Sequence, residues 1–223
     1  NGDCTQLNVQ LPQSTPAALV QGTDGNFYGT TQAGGTSTNC LAGCGTVFML
    51  TPEAALTILH SFDGNDGIEP VAGLVQGSDG TLYGTTSGGL LTPNCTAGCG
   101  TVFQITTNGV FTTLHSFSGP DGRQPRAGLV EGSDGNFYGT TFYGGASGIG
   151  TVFQITTNGT LTTLVSFNAL DGGAPAAALV QGSDGAFYGT TQAGGSGTNA
   201  AGTVFKLTIS TNDSATISCV LSP

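Results

Sequence analysis

One eight-residue segment occurs four times in this chain, and this limits the available folds more than any other feature. Asp24-Gly-Asn-Phe-Tyr-Gly-Thr-Thr31 returns as Asp79-Gly-Thr-Leu-Tyr-Gly-Thr-Thr86, then over 134–141 and 184–191, at offsets of 55, 55 and 50 residues. A second block, Gly45-Thr-Val-Phe48, recurs from Gly100, Gly150 and Gly202. A third, Thr57-Ile-Leu-His-Ser-Phe62, recurs over 112–117 and 162–167. A unit of this size cannot bury its own faces, so the units must stack on one another.

Each unit reads as four short strands. In the second they are Leu74–Gln76, Leu82–Thr86, Thr101–Thr106 and Val110–Phe117. Gly77–Gly80 is a turn, Gly88-Gly89 opens a loop, and Asn108-Gly109 has the signature of a type I′ hairpin. The strands are rich in β-branched and aromatic residues and no stretch has helical period. The expected fold is therefore all-β: a small β-propeller of four four-stranded antiparallel blades with an extra N-terminal strand. The blades fall at about 16–66, 70–121, 125–171 and 175–221 of a single domain, with Ser214–Val220 completing the last. The extra strand, residues 1–12, alternates through Leu7, Val9 and Leu11, and either closes the last blade or is donated to a neighbouring molecule's sheet. Gly29, Gly84, Gly139 and Gly189 follow the repeated Tyr, which predicts a close backbone approach near the axis.

Composition removes several functions. Only 3 of 223 residues are Lys or Arg, and the formal net charge is −10, so neither nucleic acid nor an anionic membrane surface is an expected partner. No apolar run is long enough to insert into a membrane. Six cysteines suggest an oxidising compartment. Cys40 and Cys44, and Cys95 and Cys99, share a C-x3-C spacing and are expected as local disulfides, with a zinc site as the alternative reading. Cys4 and Cys219 are the remaining expected pair. No signal peptide is visible at Asn1, so an exported chain is expected here in mature form.

Candidate chemistry is sparse. His60 and His115 share one repeat position, held by Val165 in the third unit, and read as packing. Asp24, Asp79, Asp134 and Asp184 are expected to cap their own turns. Asp63, Asn65 and Asp66 form the most acidic short loop, with Glu69 close by, and are the one weak calcium candidate. No nucleophile elbow, zinc-protease helix or phosphate loop is present. No catalytic residue and no cofactor are therefore expected. Phe142 and Tyr143 break the repeat, standing where Ser87-Gly88 stands in the unit before, and are candidates either for ligand contact or for blade packing.

The Gly73-Leu74-Val75 and Gly128-Leu129-Val130 segments, each followed by Gly-Ser-Asp-Gly, Tyr-Gly-Thr-Thr and Gly-Thr-Val-Phe, resemble the GloVer-type (Gly-Leu-Val) tandem repeats of bacteria. The resemblance runs from residue 16 to about 208, with Ala18 and Ala178 replacing the first Gly of the signature. It implies an exported, propeller-like repeat protein and no particular reaction. Together these readings give the expectation of a non-enzymatic, extracellular structural or adhesive module of a bacterial surface or matrix. It would self-associate as a homopolymer or filament through its terminal strand, or contact an extracellular glycan or surface protein. A lectin-like glycan binder is the alternative, and a hydrolase or lyase the third reading.

Overall fold

Each repeat unit folds into one sheet of four antiparallel strands, paired in the order in which they occur in the sequence, in the computed structural model of the chain. Residues 17–89, 95, 98–195, 201–209 and 215–220 are described. Blade 1 holds β1 (Val20–Gln21), β2 (Phe27–Thr31), β3 (Thr46–Leu50) and β4 (Leu56–Ser61). Blade 2 holds β5 (Val75–Gln76), β6 (Leu82–Thr86), β7 (Thr101–Ile105) and β8 (Phe111–Ser116). Blade 3 holds β9 (Val130–Glu131), β10 (Phe137–Thr141), β11 (Thr151–Ile155) and β12 (Leu161–Ser166). Blade 4 holds β13 (Val180–Gln181), β14 (Phe187–Thr190), β15 (Val204–Ile209) and β16 (Ala215–Val220). The chain is thus an all-β, four-blade propeller. The expected N-terminal strand, with Cys4, Leu7, Val9 and Leu11, lies outside the described residues, as does the side chain of Cys219.

The core lies between blades rather than within them. Tyr28, Val47 and Phe62 of blade 1 pack against Leu74, Leu82, Phe103 and Ile105 of blade 2. Tyr83, Val102 and Phe117 meet Leu129, Phe137, Phe153 and Ile155 at the next seam. Tyr138, Val152 and Phe167 meet Leu179, Phe187, Phe205 and Leu207 at the third. Both faces of the central strands are therefore covered, and every residue of β6 and β10 is buried. Hydrogen bonds fix the same seams. The Thr23 N–H donates to Gln76 Oε1 at 2.9 Å, Ser78 N–H to Glu131 at 3.0 Å, and Ser133 N–H to Gln181 Oε1 at 3.0 Å.

Two local expectations are corrected. The Asn108-Gly109 hairpin is not type I′, which needs left-handed backbone at both central residues. Only Gly109 is left-handed, at φ 90°, and its N–H donates to the Thr106 carbonyl at 2.9 Å. Thr107 lengthens the loop to three residues, so the glycine closes a wider turn. The strand glycines likewise do not admit backbone. A Cβ on Gly84 would lie 2.5 Å from Cζ of Phe103 and 2.8 Å from Cδ2 of Leu74, both in the same blade. The missing side chain makes room for the phenylalanine ring of the paired strand. Close backbone approach occurs instead just ahead of β5 and β9, where a Cβ on Gly73 would stand 3.1 Å from the Ala18 carbonyl and one on Gly128 would stand 3.3 Å from the Gly73 carbonyl.

Candidate functional site

The two ends of the blades differ in chemistry. One end carries the turns between first and second strands, and there every blade repeats the same contacts. The Asp79 carboxylate accepts from the Thr81 N–H at 2.9 Å and from the Tyr83 hydroxyl at 2.7 Å. Asp24, Asp134 and Asp184 do the same with Tyr28, Tyr138 and Tyr188. The capping role expected for these four carboxylates is thus present, and the tyrosine partner is an addition to it. Lys206, one of the three basic residues, is paired here with Asp184 at 2.8 Å. The opposite end carries the loops between second and third strands and the linkers between blades. There the repeats diverge, which is where a scaffold places its individual chemistry.

Three linker residues at this end have left-handed backbone without being glycine: Glu69 (φ 55°), Gln124 (φ 54°) and Ala174 (φ 52°). Each precedes a proline, and each is tied on both sides. Their N–H groups donate to the carbonyls of Cys44, Cys99 and Ile149 in the blade before. Their carbonyls accept from Ser87, Phe142 and Gln192 in the blade after. Such strain costs on the order of 1–3 kcal/mol and persists only where neighbours over-determine it.

At the seam of blades 2 and 3 this linker carries both arginines of the chain. The Arg126 guanidinium lies 3.9 Å from the Phe142 ring centroid and 5.8 Å from that of Tyr143, and Arg123 lies 5.1 Å from the Tyr143 ring. Phe142 is buried beneath Arg126 while Tyr143 is half-exposed, with the two rings edge-to-face at 4.6 Å. Backbone bonds between Arg123 and Tyr143 in both directions, at 2.8 and 3.0 Å, hold the cluster, and Arg126 donates to Gln124 Oε1 at 3.0 Å. Of the aromatic pair singled out in the sequence, Phe142 therefore supports an arginine, and Tyr143 is the more exposed ring, with both guanidinium groups near it.

The same end holds two His–Asp pairs that sequence reasoning missed. His60 Nε2 is 2.7 Å from Asp66 Oδ2, and His115 Nε2 is 2.7 Å from Asp121 Oδ2. Burial works against the Asp121 charge, but the bonds from His115 and from the Ser118 N–H and hydroxyl outweigh it and hold the carboxyl at about 2. His60 stacks flat on Phe111 at 3.8 Å, which is the packing role expected of it. The recurring six-residue separation of His and Asp was the available signal. In the calcium-candidate loop, Asp63 Oδ1 accepts from the Asn65 N–H at 2.8 Å and Asp66 Oδ1 accepts from the Asp63 N–H at 2.9 Å. The Asp63 and Asp66 Oδ1 atoms serve the loop and Asp66 Oδ2 serves His60, and no group of three or more His, Cys, Asp or Glu placed to hold a metal occurs among the described residues.

Cys40–Cys44 and Cys95–Cys99 are disulfides that close the long loops of blades 1 and 2. They are compatible with an extracellular location, and no helix among the described residues is long and apolar enough to cross a membrane.

The repeat motifs and this architecture agree with the sequence profile of the Gloeobacter/Verrucomicrobia repeat, which matches residues 14–220. The chain belongs to that repeat family. No curated protein matches it by sequence. Solved structures resemble this repeat protein in fold. A protein of unknown function from Dyadobacter fermentans is 12% identical with a TM-score of 0.58, over 92% of this chain and 68% of that one. The periplasmic gluconolactonase of Pseudomonas aeruginosa is 14% identical at TM-score 0.51, over 82% and 50%. A xylan β-1,4-xylosidase of Bacillus halodurans is 12% identical at TM-score 0.53, over 94% and 45%. The repeat protein thus spans half or less of the two enzymes' lengths, and at these identities the likeness is one of fold. It nonetheless overturns the expectation of a non-enzymatic structural or adhesive module, because the propellers that this chain resembles include enzymes.

Proposed function

We propose that this repeat protein is a hydrolase-like propeller whose ligand is a neutral, hydroxyl-rich molecule, a sugar lactone or glycoside, bound at the linker end of the blade 2–blade 3 seam. The observation that carries this reading is the placement of both arginines over the aromatic pair that breaks the repeat, in a chain with three basic residues. A net charge of −10 repels anionic ligands at long range, so a neutral ring suits the site better than a sugar acid. Tyr143 supplies a face for an apolar sugar surface, and the guanidinium groups supply donors for hydroxyl and carbonyl oxygens. The gluconolactonase and xylosidase named among the fold neighbours support a sugar-derived substrate.

His115 is the base in this reading. Ionised Asp121 accepts the Nε2–H and so leaves Nδ1 to take a proton from water. The resulting hydroxide adds to a lactone carbonyl carbon, and the oxyanion is met by Arg123 or Arg126. The ring C–O bond then breaks and the proton returns to the departing alkoxide oxygen. An exported, extracellular location belongs to the same reading and rests on the disulfides.

The test is a pH-stat assay with glucono-lactone, beside aryl xyloside release, on the purified protein and on His115→Ala and Arg126→Ala. Expected are lactone opening above the spontaneous rate, a loss of about 100-fold in kcat for His115→Ala, and a raised KM for Arg126→Ala. A wild-type rate equal to buffer with both substrates, together with an unchanged melting temperature in their presence, overturns the reading.

A further inference from the structure

The fourth seam is different from the other three. In each of those, one face of a blade presents Tyr and Val from its second and third strands, and the next blade presents Leu, the residue at the head of its second strand, and Phe. The same two faces exist, uncovered, at the ends of the series. On blade 1, Leu19 is 51% exposed where Leu74, Leu129 and Leu179 are at most 8% exposed, and Phe27 and Phe48 are only half-buried. On blade 4, Val204 is 45% exposed where Val47, Val102 and Val152 are sealed, and Tyr188 and Thr190 lose the cover that their counterparts have. Among the described residues no ring contact or hydrogen bond joins blade 4 to blade 1.

The polar groups at these faces are also half-used. Gln76 accepts from the Thr23 N–H of the preceding blade while its amide donates to its own turn at Gly80. Gln181 does the same with Ser133 and Gly185. Gln21 makes only the local half, to Gly25, at 3.3 Å. Ser183, the counterpart of Thr23, Ser78 and Ser133, has no acceptor for its N–H among the described residues.

We propose that further copies of this chain cover these faces, blade 4 of one copy docking on blade 1 of the next. The three internal seams already show that these two surfaces are complementary, because each blade is a copy of the same unit. The contact is head-to-tail: Val204 and Tyr188 of one copy meet Leu19 and Phe27 of the other, and the Ser183 N–H donates to Gln21 Oε1. Because the two faces are unlike, each copy of a pair retains one uncovered face, and the pair as a whole retains one of each for further pairing.

The test is sedimentation and light scattering of the full chain over a concentration series, with Leu19→Arg and Val204→Arg. Both side chains are exposed, so the variants fold, which circular dichroism and an unchanged melt verify. Wild type is expected to associate. Each variant alone is expected to weaken association at least about tenfold, since a buried unpaired arginine opposes the seam. An equimolar mixture is expected to form pairs and nothing larger, through the intact blade 4 of Leu19→Arg and the intact blade 1 of Val204→Arg. Single-chain mass for wild type at all concentrations overturns the proposal, as does association unaffected by either variant or a mixture that fails to pair.

Discussion

Tyr83 stacks on Phe137 across the seam of blades 2 and 3, with ring centroids 3.9 Å apart and planes 27° apart, while its hydroxyl donates to Asp79 of its own turn at 2.7 Å. One side chain thus joins the turn that shapes a blade to the surface that packs it on the next. Tyr138 repeats the relationship with Phe187 and Asp134.

Replacing Tyr83 by Phe separates the two roles. The stack remains and one hydrogen bond to an exposed carboxylate is lost, for an expected destabilisation of about 1 kcal/mol. Tyr83→Ala removes the ring as well and is expected to cost about 3–5 kcal/mol. Urea denaturation with an unchanged m-value checks both.

The same contacts set an alkaline limit. Burial, then the bond to Asp24, pushes the Tyr28 hydroxyl up to about 12, and Tyr83 is raised further for the same reasons. A pKa raised in the folded state means that the stabilisation is complete below the unfolded value of 10.0 and is lost as pH rises from there through about 12. The denaturation midpoint is expected to fall steadily between pH 10 and 12, and less steeply in Tyr28→Phe.

Strand identity was legible in the sequence because the repeat shows each strand several times: the expected Leu82–Thr86 coincides with β6, and the expected third and fourth strands differ only at their ends. Turn chemistry is less legible, since Asn108-Gly109 has one local signature and two loop lengths that could use it. The candidate site was legible only as a break in the repeat at Phe142 and Tyr143. Its arginines lie about twenty residues away in sequence, and only the linker's backbone pairing brings them together. The His–Asp pairs are hidden because the third blade holds Val165 where the first two hold His60 and His115, while Asp171 persists there without its histidine.

The acid limit follows from Asp121. Burial opposes its charge, the His115 and Ser118 bonds favour it, and the net effect is a carboxyl lowered from 3.8 to about 2. A depressed pKa contributes stability above the unfolded value and loses it as pH falls from about 4 to about 2, roughly 2 kcal/mol in all. Asp121→Asn is expected to remove that portion of the acid transition, read by fluorescence or circular dichroism from pH 5 to 2.

Ala54 stands at φ 65° in the turn between β3 and β4, where Gly109 and Gly159 stand in the next two blades. A Cβ in left-handed backbone costs about 1 kcal/mol or more, and glycine removes that cost. Ala54→Gly is expected to raise stability by about 1 kcal/mol in thermal melts, whereas Gly109→Ala is expected to lower it.

Gly84 tests whether the recurring spacing of the core is set within a blade or between blades. It sits opposite Phe103 in the β6–β7 ladder, with ordinary backbone, so an alanine there meets no conformational penalty. The added Cβ would instead stand 2.5 Å from Phe103 Cζ and 2.8 Å from Leu74 Cδ2. Both side chains are buried against blade 1, so the ring cannot retreat without opening the seam. Gly84→Ala is expected to cost about 1–3 kcal/mol by overpacking. Combining it with Phe103→Leu, which withdraws the clashing ring atom, is expected to cost less than the sum of the two single changes in a double-mutant cycle. Simple additivity would place the constraint elsewhere, in the neighbouring blade.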